Sequence, residues 1–175
     1  MSACRGCKVP PKSTLDIRTV AEQLRSLIGH MSMGRFLEFL FSEKLLDVVP
    51  DNDPRLPRKV EAVYDPEEKC IRLRDRDYEA CVLGTNPRSI FTFWHEFGHF
   101  VLGHERSFCR DESQGHKIYE DSEWQADTFA GEFLMPFSVI KKEKLMTPEA
   151  ISRRFNVSYA AATIRLKGTS VNSTH

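Results

Sequence analysis

Apolar residues recur at helical spacing in several stretches of the chain and alternate with polar ones in a short region between them. In STLDIRTVAEQLRSL, residues 13–27, Leu15, Val20, Leu24 and Leu27 fall near a 3.6-residue period, with Ser13 or Thr14 as N-cap and Gly29 as the stop. MGRFLEFLFSEKLLDVV, residues 33–49, reads as a second helix whose Phe36, Leu37, Leu40 and Phe41 lie on one side and fit a core. The turn formers of PDNDPRLP, residues 50–57, then break the helical period. KVEAVYD and KCIRLRD alternate instead, through Val60, Ala62 and Tyr64 in one and Cys70, Ile71 and Leu73 in the other. With DPEEK between them they predict an antiparallel hairpin, and EACVLG, residues 79–84, adds a third strand.

Helical periodicity returns in SIFTFWHEFGHFVLG, residues 89–103, and after a polar loop in DSEWQADTFAGEFL, residues 121–134, which Met135 and Pro136 end. TPEAISRRFNVSYAAATIRLKG predicts two short helices, Thr147 capping the first, Pro148 at its first position and Gly168 closing the second. The expected fold class is α+β: helices around a small antiparallel three-stranded sheet. Residues 1–12 are expected as a flexible tail, 13–140 as the main domain, 141–168 as a C-terminal helical segment and 169–175 as a disordered end.

Composition narrows the function classes. A chain of 175 residues, 41% hydrophobic and 29% charged, fits one folded domain. Lys plus Arg and Asp plus Glu number 25 each, so no net field draws the molecule to nucleic acid or an anionic membrane. No stretch approaches the ~18 apolar residues of a spanning helix, and MSACRGCKVPPKS lacks the apolar centre of a signal peptide, so the cytoplasm is the expected compartment. Five irregularly spaced cysteines fit reduced thiols better than a disulfide framework. Cys4 and Cys7 form a C-x-x-C without further metal ligands nearby, and Pro10 and Pro11 stand where a redox motif would open a helix.

The chemistry concentrates at residues 95–99. His95 and His99 are four apart, so on a helix both imidazoles reach one ion. Glu96, one residue around the helix, addresses a water on that ion, which the H-E-x-x-H pattern requires of a general base. The opposite face, with Phe91, Trp94, Phe97, Val101 and Leu102, is apolar, and a buried imidazole pair needs partners. A catalytic zinc takes a third protein ligand. His104 is one residue short of the metzincin spacing and is expected to end the helix, where a partly positive imidazole suits the dipole. His116 lies in a loop with no positional argument for it. Glu120, Glu123 and Asp127 stand at or near the start of the next helix. Glu123 and Asp127, four apart on one face, suit a third ligand and a carboxylate that orients a ligand histidine. Both also fit solvated carboxylates favouring a helix N-terminus. Tyr119, His116 and Lys117 could donate to an oxyanion and equally fit the surface.

IFTFWHEFGHFVLGH (90–104) and EWQADTFAGEFLMP (123–136), with the hairpin before them and RFNVSYAAATIRL (154–166) after, resemble the ImmA/IrrE-type metallopeptidases, a compact gluzincin-like family. The resemblance covers most of the chain, with Trp94 and Phe97 replacing smaller residues. It implies a minimal zincin-like core with zinc on His95, His99 and Glu123, and Glu96 as base. It also implies action inside bacteria, often from phages or mobile elements, by cleavage of a helix-turn-helix repressor and derepression of its genes. Two alternatives belong to other classes. One is a metal-containing module that sequesters a repressor or antitoxin without turnover. The other is a regulator touching DNA through its tail, where only Arg153, Arg154, Arg165 and Lys167 supply charge.

Overall fold

A computed structural model of the chain describes residues 6–105 and 115–171. Among them, eight α-helices surround a three-stranded sheet, an α+β architecture. Helix α1 (Thr14–Ile28) opens on a capping box, Ser13 accepting from the Asp16 N–H while the Asp16 carboxylate accepts from the Ser13 N–H, and buries Ile17 and Ala21. Helix α2 (Met33–Ser42) buries Phe36, Leu37 and Leu40.

The expected second helix ends early. Lys44 takes φ +61° and turns the chain, and Leu46–Val49 becomes strand β1. The physical reason is that LDVV lies with its end residues buried beside the central strand, a setting in which β-branched residues favour strand over helix. Strands β2 (Ala62–Asp65) and β3 (Cys70–Arg74) form the expected antiparallel hairpin, with Tyr64 opposite Ile71. Asp65 accepts from the N–H groups of Glu67 and Glu68 and so closes its turn. The order is β1-β3-β2 and β1 runs parallel to β3, so the sheet is mixed rather than antiparallel. Residues 79–84 are not its third strand. They belong to helix α3 (Asp75–Leu83) and its cap Gly84, because Asp77 and Cys81 both turn inward at helical spacing. Asp77 also accepts from the Ser89 hydroxyl at 2.6 Å, a buried bond that overrides the strand preference of Cys-Val-Leu.

Helix α4 (Pro87–Leu102) starts with Asn86 as cap and Pro87 at its first position; helix α5 (Ser122–Leu134) is capped by Asp121. They approach closely at Gly98, where a Cβ would stand 3.0 Å from Phe129 and 3.3 Å from the Ala126 backbone. Phe36, Phe93, Trp94, Phe97, Phe129 and Phe133 pack α2, α4 and α5 together, Trp94 and Phe133 stacking at 3.7 Å. Each such side chain contributes roughly 1.5–3 kcal/mol by burial, which fixes the faces that α4 and α5 present to each other.

Helices α6 (Phe137–Lys142), α7 (Pro148–Phe155) and α8 (Tyr159–Val171) enclose a smaller core of Met135, Ile140, Ile151, Val157 and Ala162. Helix α8 continues through Gly168, which the sequence marks as a stop. Arg165 from α8 and Arg18 from α1 both donate to the buried Glu132 carboxylate of α5, at 2.5–2.6 Å and 3.0–3.1 Å. Arg154 pairs with Glu143 at 2.7 Å. Two of the four basic residues on which a DNA-contacting tail depends are therefore engaged within the fold.

Residues 6–12, expected to trail as part of a flexible tail, are instead strapped along the start of α5. The N–H groups of Gly6 and Cys7 donate to Asp121 and Ser122, each at 3.0 Å, and those of Val9 and Lys12 to the carbonyls of Glu120 and Tyr119. Backbone groups that pair this regularly are structured, because the bonds replace those to water. Contrary to the expectation of reduced thiols throughout, Cys7 is disulfide-bonded; Cys70 and Cys81 are free and buried. No helix among the described residues is long and apolar enough to cross a membrane.

Candidate metal centre

The helical spacing of His95 and His99 brings their Nε2 atoms within 3.1 Å of each other. Close packing at Gly98 brings α5 up beside them, and the Glu123 carboxylate reaches both: 3.3 Å from Oε2 to His95 Nε2 and 3.3 Å from Oε1 to His99 Nε2. The three side chains form a triangle in which Glu123 addresses each imidazole through a different oxygen, and together they could hold a metal ion. A tetrahedral ion with ligands at ~2.0–2.1 Å has ligand atoms roughly 3.3 Å apart, a spacing close to each of these pairwise contacts.

The electrostatics point the same way. The His95 and His99 side chains are only 15% and 12% exposed. Burial alone pushes His95 down, but bonds to Asp127 and Glu123 outweigh it and carry its pKa up to about 10. The same bonds, from His95 and then His99, hold Glu123 well below the usual carboxylate range. Lone pairs converging on one space thus favour positive charge there. Asp127 accepts from His95 Nδ1 at 2.8 Å and so turns Nε2 toward Glu123 and His99.

Glu96 stands beside this triangle. One of its oxygens accepts from the Tyr64 N–H at 2.7 Å, tying it to β2. Burial pushes its carboxyl pKa up, against the pull of His95 and His99, which strengthens it as a proton acceptor. His95, Glu96, His99 and Glu123 share a cavity of about 310 Å³, walled by Val63 and Tyr64 of β2 and by Cys7 and Val9 of the N-terminal strap.

Other residues singled out by sequence fall elsewhere. His104 does not sit as a cation at the helix end. Gly103, at φ +71°, turns the chain back so that His104 packs beneath His99, 6% exposed, with burial pushing its pKa down to about 4. His116 pairs with Asp121 at 3.0 Å, and Glu120 accepts from the Lys117 N–H. Tyr119, His116 and Lys117, considered as oxyanion donors, are not among the residues lining the cavity. Three contributors escape sequence reasoning: the strap, the contact of His104 with His99, and Gln125, wholly buried behind them. The one available signal for the last was that Gln125 shares the EWQAD turn with Glu123 and Asp127.

Comparison with known proteins adds two findings. The M78 peptidase family model, described as an IrrE N-terminal-like domain, matches residues 61–167, which include β2, α4 and α5. A solved Mycobacterium tuberculosis transcriptional regulator has the same fold at a TM-score of 0.56 and 19% identity, the match covering 86% of this chain and 55% of that one. The chain therefore spans about half the length of that regulator. No curated protein matches it.

Proposed function

Because the chain belongs to the M78 peptidase family through its IrrE N-terminal-like domain, we propose that it is a zinc-dependent endopeptidase that hydrolyses a peptide bond in a protein partner. The observation that carries this reading is the convergence of His95, His99 and Glu123 at 3.1–3.3 Å with Glu96 in the same cavity. His95, His99 and Glu123 would hold the zinc, which would supply Lewis-acid polarisation of the scissile carbonyl and a lowered pKa for water. Glu96 accepts the proton from the attacking water on the oxygen that Tyr64 does not engage, and returns it to the departing amine nitrogen. Asp127 keeps His95 aimed, and the buried wall of α4 excludes bulk water from behind the site.

Strand β2 lies at the edge of the sheet, and its Val63 and Tyr64 line the cavity, so an extended segment added along β2 runs past the three donors. This geometry suits a loop or linker of a partner rather than a folded surface. The family resemblance and the regulator that shares the fold make a helix-turn-helix repressor encoded nearby the favoured partner. Cleavage of such a repressor would derepress its genes, in the manner of phage and mobile-element enzymes.

Co-expression with the neighbouring repressor tests the proposal. The unaltered chain should produce two repressor fragments, and Glu96→Gln should lower cleavage at least ~10²–10⁴-fold while binding zinc normally. Equal cleavage by Glu96→Gln would remove Glu96 as the base. Stable capture of an intact repressor by the unaltered, zinc-loaded chain would favour the sequestering module instead.

A further inference from the structure

His99 is held as firmly as His95, but by groups that the H-E-x-x-H pattern does not contain. Gln125 is 0% exposed, and its amide nitrogen lies 2.9 Å from the Pro10 carbonyl and 2.8 Å from the Tyr119 carbonyl. Both carbonyls can only accept, so both amide hydrogens are used there and the amide orientation is determined. Its Oε1 must then accept from His104 Nε2, at 3.0 Å. A neutral imidazole with its hydrogen on Nε2 presents a lone pair at Nδ1, and His104 Nδ1 lies 2.9 Å from His99 Nδ1. His99 Nδ1 must therefore donate, which leaves the Nε2 lone pair facing His95 and Glu123.

We infer that His104 and Gln125 are positioning residues: with the strap carbonyl of Pro10 and the Tyr119 carbonyl behind them, they fix His99 in the Nδ1–H tautomer that turns its Nε2 into the metal-ligand triangle. The chain of hydrogen bonds has one direction throughout, from His99 to His104 to Gln125 to two backbone carbonyls. Gly103 is required because the left-handed turn brings His104 back under α4, where its own N–H donates to the His99 carbonyl at 3.0 Å. The arrangement also gives the strap a role, since residues 6–12 supply one terminus of the relay. This inference rests on the metal-site reading for its purpose, but the tautomers can be read without any metal.

Long-range ¹H–¹⁵N spectra of histidine-labelled protein, metal-free and zinc-loaded, test it directly. The expected pattern is His104 protonated on Nε2 and His99 on Nδ1 in both forms; the opposite tautomer at His104 would overturn the inference even with zinc bound. His104→Phe, which keeps the ring and loses both nitrogens, should weaken zinc binding ~10–100-fold with a near-native circular dichroism spectrum. His104→Gln, whose amide oxygen can accept from His99, should recover part of that loss. Unchanged zinc affinity in His104→Phe would overturn the inference. Should His104→Phe not fold, the spectra of the unaltered chain decide alone. If the unaltered chain binds no zinc, the functional reading fails separately, and the tautomers of the metal-free protein still decide this one.

Discussion

Helix α5 carries two inward-facing glutamates, Glu123 in its first turn and Glu132 in its last, and they meet opposite fates. Glu132, 1% exposed, is clamped by two guanidiniums, Arg165 at 2.5–2.6 Å and Arg18 at 3.0–3.1 Å. Its charge is met by cations that belong to the chain, and both oxygens are occupied. Glu123, with a side chain 37% exposed, meets two imidazoles whose far nitrogens are committed to Asp127 and His104. The last-turn cluster brings its own positive charge and locks α1, α5 and α8 together. The first-turn cluster has donors pointing at a common centre and could hold a cation. A buried polar cluster is thus assigned to structure or to chemistry by asking whether the chain itself supplies the cation its carboxylate needs.

The comparison can be broken in order of expected effect. Glu132→Ala leaves Arg165 buried without a counter-charge and should lower stability by about 3–5 kcal/mol in urea denaturation, with the zinc affinity of the folded fraction unchanged. Glu123→Ala should do the reverse. Zinc binding followed by competition with a chelator should weaken on the order of a thousandfold, about 4 kcal/mol, one ligand's share of a full site, while the metal-free melt moves little. Asp127→Asn removes the carboxylate that orients His95 and should weaken zinc binding about 10–100-fold.

The smallest step, read for each pH unit, concerns pH. With His95 carried up to about 10 in the metal-free protein, zinc must displace a proton at neutral pH. The deprotonated fraction rises with pH below that value, so zinc affinity should climb about tenfold per pH unit from 6 to 8 in calorimetric titrations, with roughly one proton released from this group. A flat affinity across that range would contradict the proton's place in the site.

The helix bearing His95, Glu96 and His99 was legible because H-E-x-x-H is a local pattern: five residues of helix suffice to align two imidazoles and a carboxylate. Glu123 and Asp127 were legible for the same reason, as a second local pattern on the next helix, although only the packing at Gly98 unites the two. His104 was misread because its location depends on the left-handed turn at Gly103, and Gln125 was missed because a buried amide is recognised only by its acceptors, the Pro10 and Tyr119 carbonyls. The strap is held through its own backbone groups, paired with the Asp121, Ser122 and Gln125 side chains and with carbonyls before α5, so its own side-chain pattern carries little mark of them. In the sheet, the hairpin announced itself through alternation. Strand β1 did not, because four apolar-flanked residues at the end of an amphipathic helix fit either period until β3 is placed beside them.

The central claim is that His95, His99 and Glu123 form a ready-made site for one metal ion, and metal content measured by elemental mass spectrometry tests it most directly. After dialysis against zinc and removal of excess, the unaltered chain should retain about one zinc per molecule, and a His95→Ala/His99→Ala chain that keeps its fold should retain none. An unaltered chain without metal, or equal zinc in the double variant, would contradict the account.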